Sequence, residues 1–457
     1  MKRAVLLLAG LGLSSLLLAD PPYQAPFGTT PDWQSAIDYT AGVLAFADVD
    51  NDGDLDLAVG TYGGGYPPKS MHNVIFFNHQ GVFEMSPTWT SQDETFTPDG
   101  IWADFNADGY QDLLAVNGGP EAFPSSIHYG SAEGLGKTAG WVSQTRVSSI
   151  FAAVGDVNND GLLDFFTSNL SYNPQVTGVP GLGYVSENGI LPTRYNWRSG
   201  YAIQGLGTTL ADLDQDGLQP AEVTFPLSGK RSVFPLPPNT HRIVRVLVDG
   251  TAMHFLHVPE NPWFAVPELR DHEGSTLTLQ YLKSTDLDLV ALEMNGKALI
   301  HLNDNGKIPA YPSFTLGEKH SNKMVRFIDI DNDGDLDMFI GGKTSPMRVH
   351  YTTNGTLDPL PFWYSKDPSA GMEDAVFGDV DNDGDLDLLT AHFTSKLGNY
   401  RLYVNRGGRL ETEPEWILPY AGQSSTCVAL ADVNLDGRLD LAVGYGNGPI
   451  RLFLNRP

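Results

Sequence analysis

Cysteine is almost missing from this 457-residue chain, where Cys427 stands alone. One cysteine closes no internal disulfide, so the cross-links common in exported domains are excluded and something else must hold the fold. Positive charge is scarce as well. Twenty-eight Lys and Arg face 55 Asp and Glu, a formal charge of −27, and such a surface repels nucleic acid and anionic membrane. Long apolar runs are missing beyond Ala4–Leu18, which follows Met1-Lys2-Arg3 and ends at the small Ala19 before Asp20. That layout reads as a secretory signal peptide over residues 1–19; it is short for a bilayer span, and cleavage after Ala19 fits it better than an uncleaved anchor. No cysteine follows the run, so a bacterial-type lipid anchor is not indicated. No later segment reads as a transmembrane span, and the mature chain, 20–457, is expected outside the cytoplasm, secreted or periplasmic. Hydrolase signatures are missing too: there is no G-x-S-x-G, and His272-Glu273 lacks the second histidine of H-E-x-x-H.

What is present is a repeat. Seven segments with the pattern D-x-[DN]-x-D-G begin at Asp48, Asp104, Asp156, Asp212, Asp329, Asp379 and Asp432, each after a short apolar run. Their spacings are 56, 52, 56, 117, 50 and 53 residues, so one period of roughly 50 to 56 covers all but the fourth gap, and periods of this size mean propeller blades or other stacked units. A Pro-x-aromatic strand start gives a second count, at Trp33, Trp89, Phe314, Trp363 and Trp416, with looser copies at Trp141 and Trp197. Strands ending in Asn or Gly, such as Val74–Asn78, Leu299–Asn303 and Arg451–Asn455, give a third. All three counts reach seven. The runs within each unit are short, rich in Val, Ile, Leu, Phe and Tyr, and punctuated by Gly, Asn and Pro, which predicts antiparallel strands rather than helices. The fold class is therefore all-β, a seven-bladed β-propeller of four-stranded antiparallel blades. The chain starts on the strand around Trp33 and stops on the strand before Asn455, so the first strand is expected to complete the last blade. Such closure leaves only short protected edges.

The acidic loops predict metal binding. The fullest copy reads Asp48-Val49-Asp50-Asn51-Asp52-Gly53-Asp54-Leu55-Asp56, and nearly the same residues recur at Asp329, Asp331, Asp333, Asp335 and Asp337 and at Asp379, Asp381, Asp383, Asp385 and Asp387. Calcium takes six to eight oxygens, and alternate residues of a tight loop aim carboxylates inward at positions 1, 3, 5 and 9 while Gly at position 6 allows the turn and position 7 lends its carbonyl. An apolar strand follows position 9, so each loop is a hairpin between strands and not a helix–loop–helix hand with Glu at position 12. The other sets are Asp104, Asn106, Asp108, Tyr110 and Asp112; Asp156, Asn158, Asp160, Leu162 and Asp164; and Asp432, Asn434, Asp436, Arg438 and Asp440. Asn at position 3 keeps an oxygen but drops a charge, which weakens those sites. Up to about seven Ca²⁺ ions are expected. Packing four or five carboxylates together without a cation is costly, and seven accidental repeats of that cost are improbable.

The fourth loop departs from the pattern. Asp212, Asp214 and Asp216 are in place, yet Pro220 stands at position 9, and Asp286-Leu287-Asp288 matches the missing end. One reading inserts a β-rich subdomain, 223–285, into blade four, with Asp288 as the closing ligand. The other makes Ala221–Phe225 the second strand of the blade and leaves the site open.

The D-x-D-x-D-G-x-x-D loops followed by L-D-L and a short strand resemble the FG-GAP/VCBS repeats of integrin α-subunits and of bacterial secreted proteins, over about residues 30–457 apart from the insertion. The Phe-Gly and Gly-Ala-Pro signatures are not kept in each repeat, so the likeness is to the bacterial VCBS type. The resemblance implies calcium loops on one face and ligand-binding loops on the other, where Tyr62, Tyr66, His72, Tyr172, His392 and Tyr445 are the rings suited to stacking on a sugar or gripping a protein. The expected role is a non-catalytic binding or adhesion module for protein or glycan, and the chain is expected to be a monomer. The alternative is a scaffold or catalytic propeller of a secreted polysaccharide-degrading enzyme; Lys323, Arg198 and His320 could serve it, but no spacing marks them as a set.

Overall fold

The computed structural model describes residues 25–456 except 63–70, 228–230, 268, 270–271, 318, 367–370, 394–398 and 420–422. Residues 1–19, expected to be a signal peptide, and Tyr66 therefore lie outside the described residues. No helix long and apolar enough to cross a membrane occurs among the described residues.

Seven four-stranded antiparallel sheets repeat one layout. In the first, Ala41–Ala47, Asp56–Thr61, Met71–Phe76 and Trp89–Thr95 run from inside to outside. The innermost strands of the other six are Asp99–Ala103, Ser148–Gly155, Gly205–Ala211, Asn322–Ile328, Met372–Gly378 and Ser425–Ala431. Each packs against its neighbours, the last against the first, so the inner strands form a closed ring around a central channel. Blades are numbered here by their acidic loops, one to seven.

The ring is closed in the expected way. Trp33–Gln34 forms the outer strand of blade seven, with Trp33 opposite Leu452 and Gln34 opposite Arg451. No sheet edge is then left at the junction of the two ends.

The second strand of a blade is covered by sheet on both sides and is buried end to end, as in Asp56–Thr61, Asp387–His392 and Asp440–Tyr445. That explains its unbroken apolar run. Close contact also explains one glycine and the lone thiol: a Cβ on Gly444 would lie 2.4 Å from the buried Sγ of Cys427. Cys427 is core.

A second motif joins the blades. Five of the six outer-strand indoles donate Nε1–H to a carbonyl of the next blade: Trp89 to Leu135 at 2.8 Å, Trp141 to Leu191 at 3.3 Å, Trp197 to Ile308 at 2.8 Å, Trp363 to Leu410 at 2.9 Å and Trp416 to Phe27 at 3.1 Å, whereas the buried Nε1 of Trp33 finds no acceptor. Most of the aromatic starts that count the blades also staple them, since a buried indole N–H gains from a partner.

The interruption in blade four is a pair of sheets. Leu218–Pro226, Thr276–Ser284, Thr240–Val248 and Thr251–Ala252 make one, and Val233–Pro235, Trp263–Ala265 and Leu256–His257 the other. They share a core of Phe234, Val246, Phe264, Leu277 and Leu279. Leu218–Pro226 pairs along its whole length with Thr276–Ser284, so the insertion begins a few residues before the expected 223. The second strand of blade four is Asp288–Glu293, opposite Ala211 and Leu210, and not Ala221–Phe225.

Candidate metal centres

Each acidic loop except the fourth, which opens into the insertion, turns the chain directly from the first to the second strand of its blade. Position 4 holds a left-handed backbone in all seven, including at Ala107 (φ 58°) and Leu435 (φ 58°), where a side chain makes this unfavourable. Gly53 follows at φ 94°. This winding aims backbone N–H groups at the first aspartate, with Gly53 N donating to Asp48 Oδ2 at 3.2 Å and Gly437 N to Asp432 Oδ2 at 2.8 Å.

The closing aspartates, Asp56, Asp112, Asp164, Asp288, Asp337, Asp387 and Asp440, are all buried. In each, one oxygen accepts the N–H of loop position 2, as in Val49 to Asp56 at 3.0 Å and Val380 to Asp387 at 3.1 Å. The other accepts an N–H at the end of the third strand, as in Asn78 to Asp56 at 2.9 Å and Asn405 to Asp387 at 2.8 Å. Position 9 thus ties loop, second strand and third strand together while keeping lone pairs for an ion. Burial pushes these carboxyls up, Asp56 to about 9, Asp387 to about 8 and Asp337 to about 7, with neighbouring loop aspartates adding to the rise. A cation supplies the charge that would hold them ionised.

The loops fall into two classes that follow position 3. Where it is Asp, three carboxylates converge: Asp48, Asp50 and Asp56; Asp212, Asp214 and Asp216; Asp329, Asp331 and Asp333; Asp379, Asp381 and Asp387 each bring one oxygen within 4.8 Å of the others. In those same four loops a buried oxygen has no hydrogen-bond donor, namely Asp48 Oδ1, Asp212 Oδ1, Asp329 Oδ1 and Asp381 Oδ1. A donor set of converging, partly unpaired carboxylates fits a hard divalent cation. Where position 3 is Asn, the loop satisfies itself. Asn106 Nδ2 donates to Asp108 at 2.9 Å, Asn158 to Asp160 at 3.3 Å and Asn434 to Asp436 at 3.1 Å.

Position 7 plays a different part. Its N–H donates to position 5, as from Tyr110, Leu162 and Arg438 to Asp108, Asp160 and Asp436. Where position 7 is Asp, the carboxylate turns outward to cap the next hairpin, Asp54 accepting from Gln80 N at 2.8 Å and Asp335 from Gly355 N at 3.2 Å. Asp54 and Asp335 therefore have only their carbonyls to offer an ion in the loop, as for Tyr110.

Loop four is assembled from both ends of the insertion. Asp288 accepts from Leu213 N at 3.0 Å and Asn303 N at 2.8 Å, as position 9 does elsewhere. Gly217 lacks the positive φ of the other six; instead a Cβ there would meet Asp286 N at 2.6 Å. Sequence reasoning aligned Asp286 with loop position 7 but did not count it among the ligands. Burial, with Asp216 next in weight, pushes its carboxyl up to about 7, and its Oδ1 is buried without a donor. The signal for it was present in the Asp-x-Asp match to positions 7 and 9.

The rings expected on the opposite face divide. Tyr172 is half exposed and His72 is exposed, while Tyr62 is half-buried against Phe96. His392 and Tyr445 are not surface rings at all, being 0 % and 2 % exposed. They end the second strands of blades six and seven, where neighbouring blades cover both sides: His392 bonds Thr390 Oγ1 at 2.9 Å, and Tyr445 packs edge-on against Tyr400. Lys323 is paired with Glu373 at 2.6 Å.

A family model described as an FG-GAP-like repeat matches residues 48–115, 329–390 and 379–443. No curated protein resembles the chain in sequence. Among solved structures, the chain is similar to BBS1N in a complex with ARL6DN soaked with lead, at 8% identity and TM-score 0.49 over 95% of this chain and 98% of that one. It is also similar to the Dos1 propeller, at 9% identity and TM-score 0.47 over 91% and 78%. The closed ring of seven four-stranded blades makes the chain a β-propeller, and FG-GAP-like repeats are matched within it over residues 48–115 and 329–443.

Proposed function

We propose that this protein is a secreted, calcium-binding propeller that acts as a non-catalytic binding or adhesion module for a protein or glycan. The observation that carries the reading is the coincidence, in loops one, four, five and six, of converging carboxylates with buried oxygens that lack a donor. Calcium suits such all-oxygen sites in flexible loops, and magnesium, which demands a tighter octahedron, suits them less. The metal's part is structural, because every closing aspartate is also bonded to two strands of its blade. An ion at one to ten times its dissociation constant adds about 0.4 to 1.4 kcal/mol per site.

Partner binding belongs on the face away from the acidic loops. The second strands begin at the closing aspartates and carry the chain across to that face, where His72 and Tyr172 are exposed.

Calorimetric titration of chelator-treated 20–457 with calcium, followed by glycan and protein binding screens in calcium, tests both halves. The expected result is about four tight sites with weak magnesium competition, and ligand capture lost on His72→Ala and Tyr172→Ala. Absence of calcium uptake, or turnover of a polysaccharide by the purified chain, overturns the reading.

A further inference from the structure

The insertion reaches into the propeller. Its turn Val258–Pro262, closed by Asn261 N donating to Val258 O at 2.8 Å, enters the channel from the acidic-loop end. Trp263 Nε1 donates to Phe46 O of blade one at 2.8 Å, and Asn261 Nδ2 to Leu430 O of blade seven at 3.4 Å. A methyl of Val258 would lie 3.8 Å from a Cβ on Gly378 of blade six. Phe46, Gly378 and Leu430 each stand one or two residues before an acidic loop, which fixes the side of entry. Leu256, Val258, Trp263 and Ala265 belong to the same apolar cluster as the cores of blades one, six and seven. Behind the turn, between insertion and propeller, lies a cavity of about 1130 Å³ bordered by Trp102, Leu210, Phe255 and Arg242.

At the tip stands Glu260. Both of its carboxylate oxygens are buried without a well-formed hydrogen bond. The nearest cation is Arg326 of blade five, its Nε 3.8 Å from Glu260 Oε1 and itself without an acceptor. A pair at that distance, largely shielded from water and supported only by the bond from Arg326 Nη1 to Val325 O at 3.2 Å, recovers little of its desolvation cost. The surrounding charges do not relieve it. Asp374 of blade six and Asp99 of blade two share the influence of Arg326, and both already bridge neighbouring blades through Val428 N and Ala152 N at 3.0 Å. Blades one and seven meet the turn through the carbonyls of Phe46 and Leu430.

We propose that the turn Val258–Pro262 is a displaceable plug of the central channel, and that the charge on Glu260 governs its release. Displacement frees Arg326, Asp99 and Asp374 from the turn and widens the cavity, which Glu260 and Arg326 already border, into the channel. Burial, ahead of the opposing pull of Arg326, pushes the docked Glu260 carboxyl up to about 7 from an ordinary 4.5. The docked state therefore holds its proton more tightly than the released one, so docking is fully favoured while the proton is on and weakens as pH rises towards and through 7. His257 on the same hairpin, pushed down to about 4 by burial, acts in the opposite sense below the ordinary histidine range. Comparing the wild type with Glu260→Gln at each pH cancels its effect.

Hydrogen exchange of residues 256–266, corrected for intrinsic rates and measured in saturating calcium, reads the opening equilibrium. At pH 8.5 the wild type should open roughly 100-fold more often than Glu260→Gln, and at pH 5 only a few-fold more. Arg326→Met should raise opening at pH 8.5 in the wild type and leave it unchanged in Glu260→Gln. Equal opening of wild type and Glu260→Gln at pH 8.5, or a ratio that does not shrink at pH 5, overturns the proposal. The proposal stands or falls independently of ligand binding on the other face.

Discussion

The side-chain amide of Asn405, at the end of the third strand of blade six, donates to the carbonyl of Ile330, in the acidic loop of blade five, at 2.8 Å. The same bond runs from Asn78 to Val433, from Asn303 to Val157 and from Asn455 to Val380, at 2.8, 3.0 and 2.7 Å. Each amide also stands beside an N–H that holds the closing aspartate of its own blade. Loop geometry in one blade is thereby coupled to the position of the next.

Asn405→Ala should destabilise the protein by about 2 to 4 kcal/mol, because it removes a buried donor and leaves the carbonyls of Ile330 and Leu386 unpaired. Denaturant unfolding in calcium measures this. A change below about 0.5 kcal/mol would mean that the bond between blades carries no load.

Asp50→Asn tests the division of the loops. The amide is expected to bond Asp52, as Asn106 bonds Asp108, and to turn loop one into the self-satisfied kind. Calcium titration should lose one tight site, while stability in chelator stays the same or rises, because one charge leaves a crowded set of carboxylates. Undiminished stoichiometry at the same affinity would show that position 3 does not sort the sites.

Much of this was legible in the sequence, for physical reasons that differ by element. The blades could be counted because a tight acidic hairpin, an outer-strand aromatic and a strand ending near an Asn or Gly recur from blade to blade. Asp288 could be placed because the Asp-x-Asp that opens a second strand is a local pattern, even when about 70 residues interrupt it. The plug was not legible, since Trp263 and Phe46 are 217 positions apart and nothing local marks their contact. Nor was the burial of His392 and Tyr445. A strand end and a loop start look alike in sequence, and only the neighbouring blades decide which ring is covered.

Asp286→Asn bears on loop four. Asp286 faces Asp212, Asp214 and Asp216 from the far end of the insertion, so an ion there would bind both ends of the insertion to the blade. The substitution should weaken that one site about tenfold or more and increase hydrogen exchange in Leu218–Pro226 and Thr276–Ser284 at limiting calcium. A chain in which calcium protects those strands equally with Asp or Asn at 286 would place the residue outside the coordination set.

Ring closure offers the most global test. The outer strand of blade seven contributes the pairing of Trp33 with Leu452 and of Gln34 with Arg451, and the segment just before it supplies the Phe27 carbonyl that Trp416 requires. The buried Phe27 also meets the Trp416 ring edge-on at 5.5 Å. A chain beginning at Ala36 loses all of these and exposes the edge of Arg451–Phe453 to pairing with other chains. It should therefore unfold at a clearly lower temperature than 20–457 and aggregate on heating, and a synthetic peptide of residues 25–36 added in trans should restore part of the loss. Unchanged unfolding of the shortened chain would show that the two ends are held without strand exchange, by the faces of blades six and one alone.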